Sequence, residues 1–354
     1  MEQAATPKAI TQKELAERLN LSRTTVSRCF TNHPKINPET RALVFELAAK
    51  MGFNYAPPRN VTSERSNKAN SITVLVGKPS NAGEWYNTER DLLAGISGQL
   101  ANDRMTLNVQ YVDPATFDLA PRARRILPGL RNSDVKGFIL LYPFKESSVG
   151  HLIRKFPTVC TLDEYDSLEV DCVDVDQTRG LSRLVDHLYG LGHRQMGFVS
   201  WKYTVRTPWV ERRFGAFVES LYRHYLPFKE DRIINVHREN QIEPEDVCQE
   251  VIRMIREGVT AIVCAADHQA YPLMEALQKE GIRIPEDVSI TGFDGEVPPD
   301  GMPQMTTIQT PFRDIGVSSV AALMRLVNFP SAPRRHILVS GRTVEGETTA
   351  PPRQ

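Results

Sequence analysis

The sequence predicts a small all-α headpiece joined by a short linker to an α/β core of two doubly wound lobes. Three observations predict it. Capped, short helix signals fill residues 10–55. Pro, Ser, Asn and charge dominate 56–71 (APPRNVTSERSNKANS). From Ile72 onward, short β-rich apolar runs alternate with amphipathic stretches. Parallel strands need crossovers, so this alternation reads as doubly wound layers, and about 280 residues of it exceed what one such sheet ordinarily uses. The expected divisions are a headpiece over 1–55, a linker over 56–71, a core over 72–345 and a tail over 346–354.

The headpiece opens on Thr11-Gln12-Lys13-Glu14, a capping box in which Thr11 accepts from the third helical N–H and Glu14 reaches back. Leu15, Ala16 and Leu19 form the apolar face of this first helix. Ser22 caps a second helix, Arg23 to Phe30, which buries Val26. Two short helices joined by so tight a turn form a helix-turn-helix signature. A third helix runs from Pro38 to Met51; its Leu43, Val44, Leu47 and Ala48 are expected to cover the first two, and Gly52 stops it. The second helix displays Arg23, Thr24, Ser27 and Arg28 opposite its core. Such side chains suit a major groove, where Arg donates two hydrogen bonds to guanine and hydroxyls reach bases or phosphates. Helix N-termini at Thr11 and Ser22 also receive phosphates. The alternative is a helical packing domain with a solvated polar face.

In the core, the strand signals are SITVLVG, TLNVQYV, GFILLYP, TVCTLD, MGFVSW, RIINV, AIVCA and VSITGF. Helical stretches at 89–102, 178–190, 209–225, 244–257 and 267–280 separate most of them. Polar residues stand just past predicted strand ends, where open α/β sheets bind ligands: Asp163, Asp267 and Asp294. Arg212 and Arg213 open the helix behind MGFVSW. A carboxylate and a guanidinium facing across a cleft suit a hydroxylated ligand. Trp85, Trp201, Trp209 and Phe312 are candidates for its apolar wall. The plainer structural readings make Asp294 a turn cap and Arg213 a surface charge.

Composition excludes several classes. The chain has 43 basic and 43 acidic residues, a formal net charge of zero. Residues 1–66, however, carry ten Lys/Arg against six Asp/Glu, so a stretch of +4 made of the headpiece and most of the linker precedes a remainder of −4. The start shows no apolar signal region, and no apolar run approaches the roughly 20 residues that span a bilayer. Five widely spaced cysteines without a CxxC pair read as buried thiols in a reducing compartment, which points to the cytoplasm. No His or Cys spacing fits a metal site. Gly190-Leu-Gly192-His-Arg-Gln195 breaks the dinucleotide fingerprint at its last position and follows a helix, and no phosphate-loop or nucleophile-elbow motif appears. A non-enzyme without cofactor is therefore expected; the rivals are a solute-binding protein and an α/β enzyme.

Residues 10–57, ITQKELAERLNLSRTTVSRCFTNHPKINPETRALVFELAAKMGFNYAP, resemble the DNA-binding headpiece of the lactose/galactose repressor family of transcription regulators. The matching parts are Ser22, Thr25, Val26, Ser27 and Arg28 of the recognition helix, the Asn32 loop, Glu39-Thr40-Arg41, and Gly52-Phe53. The resemblance implies that Arg23 and Thr24 choose bases, that Arg28 reads a base, and that Thr11 and Ser27 contact phosphates. In the linker it implies a hinge helix with an apolar wedge. The position seven residues on from Pro57 or Pro58 is Glu64 or Arg65, so Val61 is the substitute wedge and Arg59 and Arg65 are expected on phosphates or in the minor groove.

The resemblance continues through VDVDQTRGLSRLVDHLYGLGHRQMGFVS, Arg212-x-x-Gly215, IPEDVSITGFDG, MTTIQTPFRDIG and GRTVEGETTAPP. It implies a periplasmic-binding-protein-like core, with lobe 1 over 72–165 and 306–323 and lobe 2 over 166–305 and 324–345. Carried over, Arg212 and Asp294 become the leading effector ligands, Asp163 a second polar ligand and Phe312 a stacking wall. Trp209 and Asp267 complete the expected site. The family's usual Asn-Asp pair is Ala266-Asp267 here, which removes one sugar contact. The implied partners are near-palindromic double-stranded operator DNA, a small effector bound between the lobes, and a second copy in a homodimer.

Overall fold

The structure, a computed structural model, describes residues 10–353 apart from 32, 34, 52, 54–70, 79–87, 104, 116, 118–134, 204, 205, 237, 238 and 240. Asn32, Arg59, Val61, Glu64, Arg65 and Trp85 lie outside the described residues.

The first half of the chain contains α1 (Gln12–Arg18), α2 (Arg23–Phe30), α3 (Pro38–Lys50), β1 (Ser71–Gly77), α4 (Thr88–Asn102), β2 (Thr106–Val112), β3 (Val135–Leu141), α5 (Glu146–Ile153), β4 (Thr158–Thr161) and β5 (Asp171–Val175). The second half contains α6 (Gln177–Gly190), β6 (Met196–Val199), α7 (Pro208–Arg223), β7 (Ile233–Ile234), α8 (Pro244–Arg256), β8 (Ala261–Cys264), α9 (Asp267–Lys279), β9 (Ser289–Thr291), β10 (Thr307–Gln309), α10 (Phe312–Asn328), β11 (His336–Val339) and β12 (Arg342–Val344).

Two compact units result. The first comprises Met1–Ala82, Thr88–Val173 and Phe312–Ile337, and the second Gly83–Asn87, Asp174–Pro311 and Leu338–Gln354. The chain therefore changes unit near 173, 311 and 337, against crossovers expected near 165, 305 and 323; the whole of α10 belongs to the first unit.

In the headpiece, Glu14 N donates to Thr11 Oγ1 at 3.3 Å and Thr11 N donates to Glu14 Oε2 at 2.6 Å, closing the capping box. Ser22 Oγ accepts from Thr25 N at 3.0 Å and caps α2. Leu15, Ala16, Val26, Cys29 and Phe30 are buried with Ala42, Val44, Phe45 and Ala48 of α3. Phe30 meets Phe45 edge-on with ring centroids 5.5 Å apart. Leu43 and Leu47, expected in this core, are only half-buried, because the larger Phe45 ring fills the space against Phe30.

Polar residues of α3 are drawn into contacts as well. Arg41, with no exposed surface, donates to Ser97 O of α4 at 3.2 Å and to His33 O and Ile36 O of its own headpiece at 2.9 and 3.0 Å. Glu46 accepts from Arg90 of α4 at 2.8 and 3.0 Å, and Glu39 pairs with Arg313 of α10. Buried charges persist only when partnered: Arg41 and Glu46 are the buried members of this set, and each has a partner on α4.

The first unit is built on a six-stranded sheet in the order β11-β5-β4-β3-β1-β2. Strands β1 to β5 pair in parallel, with Val74 facing Val109 on one side and Ile139 on the other. β5 carries the sequence DCVDV, whose two acids hide its strand character. Both acids are buried: Asp171 pairs with Arg325 of α10 at 2.6 Å, and Asp174 accepts from Gln177.

The second unit is built on a parallel sheet in the order β7-β6-β8-β9, with an antiparallel pair β10-β12 beside it. Its core joins Val199, Val251, Ile262, Met274, Leu277 and Ile290. His193, from the Leu-Gly-His-Arg block, fastens the end of the chain. Its Nε2 donates to Ala350 O at 2.9 Å and its Nδ1 accepts from Thr260 Oγ1 at 2.9 Å. Burial holds its pKa below the usual imidazole value, as this neutral tautomer requires. All five cysteines are buried and free.

Candidate functional site

The headpiece presents one polar face. Along α2 the periodicity buries Val26, Cys29 and Phe30, which leaves Arg23, Thr24 and Arg28 exposed together on the other side. Ser27 and Thr25 are half-buried at its margin, and the Thr25 hydroxyl shares a hydrogen bond with Ser22 Oγ at 2.9 Å. Thr11 and Ser22 are exposed at the N-termini of α1 and α2. The arrangement offers two guanidinium groups and a cluster of hydroxyls on one short helix, a donor set suited to base edges and phosphates.

The second unit assembles a different site at the carboxyl ends of β6, β8 and β9. In its 2-1-3-4 strand order the topological switch lies between β6 and β8, where doubly wound sheets leave a crevice. Arg213 of α7 occupies the centre. Its Nη2 donates to Asp294 Oδ1 at 2.9 Å, its Nη1 to Ala265 O at 2.5 Å, and its Nε to Gln177 Oε1 at 2.6 Å. Gln177 Nε2 in turn donates to both oxygens of Asp174 at 3.1 Å. The guanidinium lies 3.7 Å from the Phe293 ring centroid and 4.7 Å from that of Trp209, a cation between two aromatic faces.

This corrects the choice between the adjacent arginines. Arg212 is exposed, whereas Arg213, read from the sequence as a surface charge, is 3% exposed. The signal was present in the helix pattern: Val210, Arg213, Ala216, Phe217 and Ser220 share the buried face of α7.

Asp267 also has a different task from the ligand contact expected of it. It is fully buried, and Oδ2 accepts from Gly295 N at 2.7 Å and Glu296 N at 2.8 Å while Thr307 Oγ1 donates to Oδ1 at 2.8 Å. Its oxygens clamp the loop that carries Asp294, so it positions a neighbour. Gly292 makes this possible, because a Cβ there would stand 2.0 Å from Asp267 Oδ1. Likewise Gly180 of α6 is the gap that admits Phe293, since a Cβ would meet its ring at 2.7 Å. Glycine in the Asp-x-x-x-Gly block thus serves the aromatic wall behind Arg213.

Burial raises the Asp294 pKa, an effect that Arg213 opposes. Burial also pushes Asp267 up to about 7, reinforced by the charge of Asp294, and Asp174 up to about 6. Asp294 itself has φ +117°, a conformation rarely taken by a residue with a side chain.

Beside this charged centre the candidate wall residues Trp201 and Trp209 are joined by Tyr203, His268 and Gln269, to which the sequence assigned no role. Tyr203 meets Trp209 edge-on at 5.5 Å, its hydroxyl donates to His268 Nε2 at 3.0 Å, and Gln269 Nε2 donates to the same hydroxyl. Trp201 packs edge-on against His268 at 5.5 Å. Burial and the charge of Arg213 lower the His268 pKa to about 3, so the ring is neutral and accepts. Gln269 is fully buried, and its Oε1 has no partner among the described residues.

Asp163 and Phe312 belong to the first unit. Asp163, at the end of β4, is 1% exposed, and Phe312, the first residue of α10, is 9% exposed. Among the described residues there is no cluster of three or more His, Cys, Asp or Glu able to hold a metal, and no helix long and apolar enough to cross a membrane.

Comparison with known proteins agrees with this fold class. Residues 185–349 match the family described as a periplasmic binding protein-like domain, and residues 5–31 match winged helix-turn-helix DNA-binding. The chain is 25% identical over 341 residues to the uncharacterised HTH-type transcriptional regulator YvdE of Bacillus subtilis, covering 96% of this chain and 99% of that one. It is 25% identical over 351 residues to the lactose operon repressor of Escherichia coli, covering 97% and 92%. Among solved structures, the transcriptional regulator CelR in complex with cellobiose matches with a TM-score of 0.67 at 18% identity, covering 96% of this chain and 99% of that one. The lac repressor dimer bound to operator and the anti-inducer ONPF matches with a TM-score of 0.65 at 21% identity, covering 97% and 100%. A helix-turn-helix headpiece before a periplasmic-binding-protein-like core, with full-length regulators as relatives, leads to one conclusion: the chain belongs to the lactose/galactose repressor family of DNA-binding transcription regulators.

Proposed function

We propose that the protein is a repressor that binds a near-palindromic operator as a homodimer in the cytoplasm, and that a small polyhydroxylated effector controls its affinity. It turns over no substrate in this reading. The observation that carries the reading is the exposed face of α2, where Arg23, Thr24 and Arg28 stand clear of a fully packed headpiece. The names of relatives support it: one is the lactose operon repressor and another a probable transcriptional repressor, ExuR.

The effector contacts are assigned to the Arg213 and Asp294 pair with Trp209 alongside. A guanidinium and a carboxylate each make paired hydrogen bonds to neighbouring hydroxyls, and the aromatic rings cover apolar ring faces. Ala266 stands where the family's usual Asn would add an amide, so the preferred ligand differs from an ordinary hexose. An effector acts only through its different affinity for two states of the protein, typically about 1–3 kcal/mol of coupling.

The test has two stages. Duplexes selected from a random pool by the full chain should converge on one inverted repeat, and gel-shift affinity for it should then change with a sugar, uronic acid, nucleoside or polyol found by thermal shift. Failure to select any sequence would overturn the DNA reading. A selected operator with no responsive ligand among these classes would overturn the effector reading.

A further inference from the structure

The first unit contains a cavity of about 260 Å³ that has no part in either site. It lies at the amino ends of the parallel strands, where Arg154 and Lys155 form the turn from α5 into β4 and Arg334 precedes β11. Carbonyl-end crevices of this sheet are on the other side, so the cavity is distinct from any ligand crevice of the doubly wound layers.

Its lining joins charge to an apolar wall. Arg154, Lys155 and Arg334 border it, all three exposed, and Phe156 and Leu326 back it. Among the described residues none of these three cations has an ion pair or a side-chain hydrogen bond. The acids do not compensate them. Asp171, at the start of β5, is already neutralised by Arg325 at 2.6 Å, which leaves Glu169 as the one carboxylate among the lining residues. The Thr158 hydroxyl is spent on Phe156 O at 3.0 Å.

Three cations against one carboxylate around a single cavity favour an anionic ligand, and two guanidinium forks match phosphoryl oxygens. The volume falls just below the roughly 300 Å³ at which drug-sized ligands begin, so the occupant is small. A concave site of about 260 Å³ favours a small free molecule over a duplex, whose backbone is convex. We propose that this cavity binds a small phosphorylated metabolite. Its phosphoryl group sits on Arg154, Lys155 and Arg334, its carbon skeleton lies on Phe156 and Leu326, and Glu169 accepts from a hydroxyl. The protein then has a second ligand input, separate from the one in the other unit.

The experiment is isothermal titration of the full-length protein with inorganic phosphate, glucose 6-phosphate and glucose at matched ionic strength. Glucose 6-phosphate should bind more tightly than phosphate, and glucose should not bind here. The variants Arg154→Gln and Arg334→Gln alter exposed side chains, so they keep the fold. Each should weaken glucose 6-phosphate binding about tenfold or more. Asp294→Asn should leave that binding unchanged, which separates this cavity from the effector cluster. The proposal is overturned if neither phosphate compound binds at millimolar concentration, or if the two Gln variants bind as the parent does. It is equally overturned if those variants lose affinity only for a non-operator duplex in a gel shift, which would assign the cations to DNA phosphates.

Discussion

Arg213 Nη2 donates to Asp294 Oδ1 at 2.9 Å, and the two residues hold each other in the carboxyl-end crevice of the second unit. Each offsets the cost of burying the other. A buried guanidinium without its acid, or the acid without its guanidinium, leaves an uncompensated charge worth about 3–5 kcal/mol. The strained φ of Asp294 is maintained by Asp267, which ties down the next two backbone amides.

Asp294→Asn should therefore abolish the response to effector while operator affinity without effector stays within about threefold. The substitution keeps the side-chain shape, removes one charge and lowers the melting temperature. Gel shifts with and without the thermal-shift ligand measure it, and a normal ligand response would remove Asp294 from the effector site.

Arg28→Ala should cost about 1–3 kcal/mol in operator affinity and relax base preference at the positions Arg28 reads. The side chain is exposed and no hydrogen bond or ion pair ties it to another described headpiece residue, so the fold is unaffected. Selection from a random pool compares the two proteins; an unchanged consensus and affinity would reject the docking of α2 in the groove.

Asp267 links the site to pH. Its folded pKa of about 7 lies above the ordinary carboxylate value, so between roughly pH 4 and 7 the native protein holds a proton that the unfolded chain has released. That contribution to stability is complete below about pH 4 and is lost as pH rises through 7. Asp267→Asn lowers stability overall and removes this dependence. The change of unfolding free energy with pH across this window should differ from the parent by up to about 1.4 kcal/mol per pH unit. Urea midpoints at pH 4.5, 5.5, 6.5 and 7.5 measure it; parallel profiles would contradict the assignment.

Glu46 and Arg90 join the headpiece to α4 at 2.8 Å, with Glu46 almost fully buried and Arg90 half exposed. A double-mutant cycle with Glu46→Gln and Arg90→Gln should give a coupling of about 0.5–1 kcal/mol, modest because Arg90 stays solvated. Chemical unfolding of the four proteins tests this, and additivity would mean that the headpiece is not held by the pair.

Much was legible along the chain. The capping box at Thr11 and Glu14, the Ser22 cap and the apolar spacing of α2 are local patterns, so residues within one or two turns decide them. The strand runs from SITVLVG to VSITGF were legible for the same reason. β5 was not, because Asp171 and Asp174 break its apolar pattern and only Arg325 and Gln177, supplied by other elements, make those acids tolerable in a sheet.

The sequence by itself determined the order of domains, the charge division between +4 over residues 1–66 and −4 over the rest, and the outward face of the recognition helix. Each depends on composition or helical period alone. Only the tertiary structure decided that Arg213 and not Arg212 faces Asp294, that Asp267 clamps a loop, and that α3 buries Arg41 and Glu46 against α4. Adjacent residues on a helix point about 100° apart, and which of them meets a buried acid depends on how the helix is rolled onto its sheet. That roll is fixed by packing among distant segments, and no local pattern records it.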